Sequence, residues 1–439
     1  MFTTLKNHKV LAKIIGNSSW LILDKVTRLI LGLTVTAWIA RFLGPESYGS
    51  LAYVLAIVAL CQAITKLGLD SIIVRDMSIS DSSPESLLGT TLRMRIASGV
   101  IVYFSVVAFS FIFNDINTAI LFSLAGGSII FQSADTIDLW FQSKSKSKFT
   151  VKAKLFSYAI SAIIKILLIL QSASITWFAL VFAIESMLTA FGLLIVYRKF
   201  PTKKRWMFDK TMVLRNLKEA FPYLMTSISM LIYIRIDQVM IKHFLDVEEL
   251  GIFSAVIPFS TLWNVLPMVF GLSIAPHLSR IRKENKELYN LSIRVMFSFF
   301  AIIGVVIICV MTLLSAPLVT LILGQQYLDG ISILEVHVLS NVFICLGVAQ
   351  GLWIVNEGRG FIALYRTLLG AIVSLIGNYY FLPIFGLIGA AYVAVSAQFV
   401  QAVLSNIIFD RKIFFLQLRC LVLIEPYILI KSRVWNLCK

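Results

Sequence analysis

Twelve long apolar runs dominate this chain and limit what it can fold into. Each run holds about twenty mostly apolar residues, the length that an α-helix needs to cross a bilayer core of about 30 Å. The mean hydropathy of +0.88 is more than a soluble chain of 439 residues can bury. The sequence therefore predicts an all-α polytopic membrane protein with about twelve transmembrane helices. These helices are predicted at residues 14–40, 49–69, 90–113, 118–141, 155–171, 176–197, 219–243, 252–276, 293–315, 331–356, 361–382 and 386–408.

The basic residues lie between the apolar runs rather than on one polar surface. The net charge of +16 therefore does not indicate nucleic-acid binding. If the N-terminus is cytoplasmic, almost all the loop Lys and Arg residues fall on the same side, so the positive-inside rule predicts that both termini are cytoplasmic. The first apolar run lacks a small-residue cleavage site, and we expect it to be a retained helix. The five cysteines have no CxxC spacing, so neither a disulfide framework nor a zinc site is indicated, and we expect neither a metal nor a cofactor.

A short sequence element occurs twice, 202 positions apart. Residues 42–49 read FLGPESYG and residues 244–251 read FLDVEELG, with Phe, Leu, Glu and Gly in register. Each copy lies in a polar gap after the first apolar run of its half, so the chain is predicted to be a duplication with six helices per half. We expect the two copies to be matched structural turns on the outer face.

The duplication also predicts the domain organisation. We expect an N-lobe at 1–197, a basic cytoplasmic linker at 198–218, a C-lobe at 219–409 and a cytoplasmic tail at 410–439. The apolar part of the tail is interrupted by Arg419, Glu425 and Pro426. This interruption favours an interfacial amphipathic helix over a thirteenth span.

The first span carries three charged residues that point to a site. The apolar stretch from 29 to 40 covers only about 18 Å, so Asp24, Lys25 and Arg28 must lie inside the membrane. Charges there are costly unless they face water or a partner. Asp24 and Arg28 are one helical turn apart and can form an ion pair, which would be either purely structural or part of a cavity wall. Lys25, without a partner in this scheme, favours a cavity wall.

Spans four to six carry a second group of charges. Asp135 and Asp138 lie in or beside the fourth span, Lys165 in the fifth and Glu185 in the sixth. One interpretation is a buried structural network in which Lys165 pairs with Asp135 or Asp138. The other is an ion-coupling site, with Glu185 either as a partner for Lys165 or as a proton-binding group.

The seventh and eighth spans add two further features. Arg235 lies near mid-depth, and its guanidinium must bind either a diphosphate or a carboxylate such as that of Asp237. Pro258, Pro267 and Pro276 recur every nine residues in the eighth span. They are candidates for a hinge, although proline is also simply tolerated in membrane helices.

Several segments together resemble a known family. They are residues 20–28 (WLILDKVTR), 40–49 (ARFLGPESYG), 137–143 (IDLWFQS), 235–241 (RIDQVMI) and 365–371 (YRTLLGA). Their sequence and order resemble bacterial polysaccharide (O-antigen) flippases, the Wzx-type branch of the multidrug/oligosaccharidyl-lipid/polysaccharide exporter superfamily. The resemblance covers essentially the whole chain.

The resemblance implies a fold and a function. It implies two six-helix lobes around a central cavity in the bacterial inner membrane. Its substrate would be an undecaprenyl-diphosphate-linked oligosaccharide, the O-antigen repeat unit of lipopolysaccharide, moved from the cytoplasmic to the periplasmic leaflet. The polysaccharide polymerase and the chain-length regulator would be partners. Of the membrane cations, Lys25, Arg28 and Arg235 are then candidates for contacts with the substrate.

Two other classes of function fit the charges and the loops of this sequence less well. A proton- or sodium-coupled multidrug antiporter of the same superfamily would use Asp24, Asp135 or Glu185, but Arg28 and Arg235 would repel a cationic drug. A membrane enzyme such as a glycosyltransferase would need a large polar loop, and no loop between spans exceeds about twenty residues. There is no GxxxxGK[ST] motif for ATP, so we expect a transporter driven by an ion gradient or by consumption of its product.

Overall fold

Almost every residue in the computed structural model lies in a helix. The structure describes residues 2–78, 83–202 and 204–429, with side chains described for Trp20 and from Leu23 onward, and these ranges contain no strand. Eleven helical segments in them are long and apolar enough to cross a membrane. The first, Leu23–Ser78, covers two predicted spans because α1 turns at Gly44, where φ is 76° and ψ is 167°. The prediction of an all-α polytopic membrane protein is confirmed.

Seventeen α-helices in the described ranges have defined bounds, residues 424–429 are also helical, and several transmembrane segments consist of two helices. The helices are α1 (Phe2–Thr65), α2 (Asp70–Ser78), α3 (Pro84–Phe113), α4 (Ile116–Phe131), α5 (Asp135–Ser143), α6 (Ser147–Leu170), α7 (Ile175–Lys199), α8 (Lys210–Phe244), α9 (Val247–Thr261), α10 (Val265–Glu284), α11 (Lys286–Leu318), α12 (Gly330–Val338), α13 (Ser340–Glu357), α14 (Gly360–Phe385), α15 (Leu387–Phe399), α16 (Asn406–Phe409) and α17 (Arg411–Leu421).

Interruptions divide some membrane segments into two helices. A 3₁₀ turn at Gln132–Ala134 separates α4 from α5, and a second at Leu262–Asn264 separates α9 from α10. Of the three candidate hinge prolines, Pro258 lies within α9, Pro267 lies just after the second 3₁₀ turn, and Pro276 lies within α10. A 3₁₀ turn inside a helix often marks a hinge, and the hinge role of the three prolines stays a prediction.

The chain divides into two compact units. The first comprises Met1–Leu43 and Ser50–Leu231, and the second comprises Gly44–Gly49 and Ile232–Lys439. The first unit has its core around buried side chains of α2, α3 and α5, among them Ile73, Leu88 and Leu139. The boundary lies within α8, whereas the sequence placed it in the basic segment 198–218.

Hydrogen bonds explain why the basic segment belongs to the first unit. The backbone N–H of Lys204 donates to Glu85 Oε1 at 3.1 Å, and that of Met207 donates to the Glu85 carbonyl at 3.2 Å. The Asp209 N–H donates to Thr90 Oγ1 at 2.9 Å. These bonds attach the segment to the start of α3, so it is a packed part of the first unit and not a free linker.

The two copies of the repeated element pack against each other within the second unit. An added Cβ at Gly49 would overlap the carbonyl oxygen of Val247, and one at Gly251 would overlap that of Pro45. Pro45 and Val247 hold the same position in the repeat, so the contact is reciprocal. Both glycines are therefore sites of close backbone approach, which explains why each copy carries glycine there.

The tail begins with a short amphipathic helix. The Asp410 carboxylate caps α17 by accepting hydrogen bonds from the N–H groups of Lys412 and Ile413 at 3.1 and 3.2 Å. Ile413, Gln417 and Cys420 are buried on one side, whereas Lys412, Phe415 and Arg419 are exposed on the other. Residues 430–439 lie outside the described residues.

Candidate functional site

Most of the predicted charged residues of the first half surround one cavity in the first unit. Its volume is about 280 Å³, and its walls come from α1, the α4–α5 segment, α6 and α7. The charged and amide side chains that line it are Asp24, Arg28, Gln62, Gln132, Asp135, Lys154 and Glu185. The lining includes Asp24, Arg28, Asp135 and Glu185, four of the residues that the sequence singled out.

Three sets of ion pairs surround this cavity. Arg28 Nε lies 2.9 Å from Asp24 Oδ1, as the spacing of one helical turn predicted. Lys154 Nζ lies 3.0 Å from Asp135 Oδ1 and 2.8 Å from Asp138 Oδ2. Ion pairs in a poorly solvated site need further hydrogen bonds to be stable, and the Gln142 amide donates one to Asp138 at 3.0 Å.

The third set joins the fifth and sixth predicted spans. Lys165 Nζ lies 2.9 Å from Glu185 Oε2, and Ser161 Oγ donates to the same oxygen at 2.6 Å. The alternative that Glu185 is the partner of Lys165 is therefore the one that the structure shows. Lys165 Nζ also lies 4.4 Å from the centroid of the Phe182 ring, a distance at which a cation is attracted to the face of an aromatic ring.

The proposed pairing of Lys165 with Asp135 or Asp138 is wrong, and hairpin geometry explains why. A short turn at residues 144–146 joins α5 to α6, so residues at similar distances from the turn face each other. Lys154 lies about as far from the turn as Asp135 and Asp138 do, so it faces both of them. Lys165 lies about 16 Å farther along α6. The predicted span 155–171 leaves Lys154 just outside the membrane segment, but α6 already begins at Ser147.

The first half contains another charged residue that the sequence analysis missed. Arg95 lies in α3 with only 2% of its side chain exposed, and its guanidinium pairs with Asp70. It also donates to the Lys66 carbonyl at 3.3 Å. The signal in the sequence was the Arg-Met-Arg string at 93–95, which interrupts the start of an apolar run.

The candidate substrate contacts of the first span differ in their surroundings. Arg28 is engaged with Asp24 and lies 5.2 Å from the centroid of the Tyr158 ring. Lys25 is exposed, and it has no ion-pair partner among the residues with described side chains. The cavity charges nearly cancel, because the lining contains two cations, Arg28 and Lys154, and three carboxylates, those of Asp24, Asp135 and Glu185. The cavity of the first unit is therefore not strongly cationic.

Arg235 in the second unit has a different environment. Its Nη1 donates to Gln238 Oε1 at 3.1 Å, and the described part of the chain supplies no carboxylate to it. The alternative of an ion pair with Asp237 is not formed, because residues two apart on a helix lie about 200° apart around its axis. Arg235 is thus a cation within a transmembrane segment, and its described side-chain partner, Gln238, is neutral.

Asp237 occupies a buried polar pocket of its own. Its Oδ1 accepts hydrogen bonds from Ser374 Oγ at 3.0 Å and from Asn378 Nδ2 at 2.6 Å, both on α14. No Lys, Arg or His in the described ranges is within ion-pair distance of it. Asn378 Oδ1 is also buried and has no described hydrogen-bond partner. Carboxylate, hydroxyl and amide oxygens are the ligands that small hard cations prefer, and a buried carboxylate can also bind a proton.

The comparisons with known proteins agree with the sequence motifs. Residues 38–332 match the family described as polysaccharide biosynthesis protein. The capsular polysaccharide biosynthesis protein CapF of Staphylococcus aureus is 21% identical over 413 residues, which cover 91% of this chain and all of that protein.

Solved structures share the fold. The lipid II flippase MurJ in its inward closed conformation has a TM-score of 0.72 at 16% identity, covering 93% of this chain and 92% of that one. An inward-facing multidrug resistance MATE family transporter of the MOP superfamily has a TM-score of 0.69 at 14% identity, with 89% and 95% covered. Two kinds of transporter therefore have the fold of this chain.

Proposed function

Since this multi-pass membrane protein belongs to the polysaccharide biosynthesis protein family, as its motifs indicated, we propose that it is a flippase for a lipid-linked oligosaccharide. The substrate is an undecaprenyl-diphosphate-linked repeat unit of a surface polysaccharide such as O-antigen or capsule. It is moved from the cytoplasmic to the periplasmic leaflet of the inner membrane. The sharing of a fold with a lipid II flippase and the name of the capsular relative support this proposal.

The main observation behind the proposal is that Arg235, within a membrane span, has no described carboxylate partner. A guanidinium within a membrane span stays charged, and it binds the two oxygens of a phosphate or carboxylate better than it binds one neutral amide. Arg235 has only Gln238 as its described side-chain partner. It is therefore available for the diphosphate. Arg28 becomes available only when its ion pair with Asp24 opens, and exposed Lys25 is the remaining candidate of the first span.

The function is tested with Arg235→Ala and Arg28→Ala in a strain that lacks the chromosomal gene. A charge-assisted hydrogen bond contributes about 1.5–3 kcal/mol, so we expect each variant to lower surface polysaccharide about tenfold or more. Lipid-linked repeat units should accumulate in the same cells. The measurements are an immunoblot of surface polysaccharide and extraction of the lipid-linked pool.

Arg280→Ala is the matched control, because Arg280 is an exposed cation near the end of α10. All variants must reach the membrane at wild-type levels. Normal surface polysaccharide in Arg235→Ala would rule out the diphosphate contact. Normal polysaccharide without the protein would refute the flippase function itself.

The four acidic candidate residues of the first half have a different role in this proposal from that of Asp237. Asp24, Asp135, Asp138 and Glu185 each have a cationic partner, which fits a structural network. Asp237 has neutral donors only, which fits reversible binding of a proton or sodium ion. Asp237 is therefore the proposed ion-coupling residue, and export is driven by an ion gradient.

Asp237→Asn is expected to uncouple transport from the ion gradient. The amide keeps an oxygen that accepts from Ser374 and Asn378 but has no negative charge for a cation. In proteoliposomes, wild-type transport should rise when a pH or sodium gradient is imposed, and the variant should not respond. The control is Glu284→Gln, which removes an exposed carboxylate at the end of α10. A gradient response equal to that of the wild type would exclude Asp237 as the coupling residue.

The alternative function is a cation-coupled multidrug antiporter, and the same assay distinguishes it. Such a protein would extrude a cationic dye from the proteoliposomes, whereas a flippase would not. Arg235 without a carboxylate partner disfavours a cationic substrate, because like charges repel.

A further inference from the structure

A second and larger cavity lies entirely within the second unit. Its volume is about 910 Å³, and it lies where the junctions between α10 and α11, α13 and α14, and α16 and α17 come together. Binding pockets for small molecules range up to about this size. The positive-inside rule predicts that these helix ends are on the cytoplasmic side.

The lining of this cavity is strongly basic. Seven Lys or Arg side chains and three carboxylates contribute to it. Each carboxylate already has a cationic partner: Glu357 lies 3.4 Å from Arg282, Asp410 lies 3.2 Å from Arg359, and Glu425 pairs with Arg294. The described side chains leave the four remaining cations without a carboxylate. These are Lys283, Lys286, Lys412 and Arg419.

A buried polar chain holds one wall of the cavity in place. Gln417 of α17 accepts a hydrogen bond from Asn406 Nδ2 at 2.7 Å, and Asn406 Oδ1 accepts one from Gln350 at 2.7 Å. Arg366 completes the chain by donating to Gln350 Oε1 at 2.6 Å. Gln350, Asn406 and Gln417 are fully buried. The chain fixes α17, so Lys412 and Arg419 are carried by a rigid helix and not by a mobile tail.

Part of the lining is apolar. Trp353, Ile413, Phe415 and Leu416 line the cavity together with the cations. Phe415 has 58% of its surface exposed. A soluble anion would use only the cations. A ligand with a negative head and an apolar body would use both parts of the lining.

We propose that this cavity binds the phosphate headgroup of an anionic glycerophospholipid. Lys283, Lys286, Lys412 and Arg419 contact the phosphate, and Phe415 and Leu416 contact the beginning of the acyl chains. Basic pockets among membrane helices on the cytoplasmic side are suited to such headgroups. The site is separate from Arg235 and Asp237, and it does not depend on the transported substrate.

The test measures binding of short-chain phosphatidylglycerol to the purified full-length protein by native mass spectrometry. The variant combines Lys283→Gln, Lys286→Gln, Lys412→Gln and Arg419→Gln, which keeps the side chains long and polar. The matched control combines Lys199→Gln, Lys210→Gln, Lys218→Gln and Arg215→Gln. It also removes three lysines and one arginine, but from an exposed part of the first unit. We expect binding by the cavity variant to be about tenfold weaker or more, and binding by the control to stay within about twofold of wild type.

Two further ligands identify the source of the phosphate. Short-chain phosphatidylcholine, which is zwitterionic, should bind more weakly than phosphatidylglycerol. Glycerol phosphate, which has the anion without acyl chains, should also bind more weakly. Equal binding of glycerol phosphate would overturn the lipid assignment. Equal losses in the cavity variant and the matched control would overturn the site, because they would show attraction to overall charge only.

Discussion

Lys154→Met should destabilise the protein by about 3–5 kcal/mol, the usual cost of removing one partner from a buried ion pair. Lys154 is the described cationic partner of both Asp135 and Asp138. Its side chain is 16% exposed and that of Asp138 is 10% exposed, so water cannot fully replace the ammonium. The variant would leave the carboxylates of Asp135 and Asp138 close together without a cationic partner. Thermal unfolding of the purified protein in detergent measures the loss.

Rescue separates lost charge pairing from lost packing. Asp135→Asn and Asp138→Asn, added to Lys154→Met, remove the unpaired charges and should restore most of the stability. Lys152→Met is the control, because Lys152 is an exposed lysine of the same helix. An unfolding temperature of Lys154→Met equal to that of the wild type would show that the three residues do not stabilise the fold. If the triple variant does not recover stability, the loss comes from the packing of the Lys154 side chain and not from its charge.

Gly49→Ala and Gly251→Ala are each expected to destabilise the protein by about 1–3 kcal/mol, the usual cost of overpacking a close contact. Replacing glycine by alanine inside a helix normally stabilises it by roughly 0.5–1 kcal/mol. Here the sign is reversed, because the added Cβ would overlap the backbone carbonyl of Val247 or Pro45. A backbone atom cannot rotate away as a side chain can, so the two copies of the repeat must move apart.

The control for this pair is Gly360→Ala at the start of α14, where an added Cβ would meet nothing within 4 Å. Gly360→Ala should leave the unfolding temperature unchanged or slightly higher. The double variant Gly49→Ala/Gly251→Ala should lose less stability than the two single losses added together, because both residues belong to one contact. Full additivity would show that the two glycines act separately.

The fold was largely readable from the sequence because burial in lipid is a property of each segment. About twenty apolar residues in a row predict a spanning helix whatever its neighbours are. The break at Gly44 is likewise local, since its positive φ suits glycine. Segment 198–218 was harder, because its composition is that of a linker while its hydrogen bonds to Glu85 and Thr90 make it part of a unit.

The sequence predicted only part of the candidate functional site. The pair Asp24–Arg28 lies within one helical turn, so its spacing was sufficient. Lys154 was missed because its partners are on another helix, and the hairpin register that brings them together is not visible in an apolar run. Arg95 was missed for a similar reason, since charges at the edge of an apolar run, such as Arg93 and Arg95, have the same pattern whether they are buried or exposed.

The sequence by itself determined that this chain is an all-helical membrane protein of the polysaccharide biosynthesis family, with a repeated element in each half. Tertiary structure alone decided that Lys154 serves both aspartates, that Lys165 pairs with Glu185, that Arg235 lacks a described carboxylate, and that the two copies of the repeat contact each other. The physical reason is the range of the interactions. Hydropathy and helix spacing depend on neighbours along the chain, whereas charge pairing and close backbone approach depend on which helix faces meet in space.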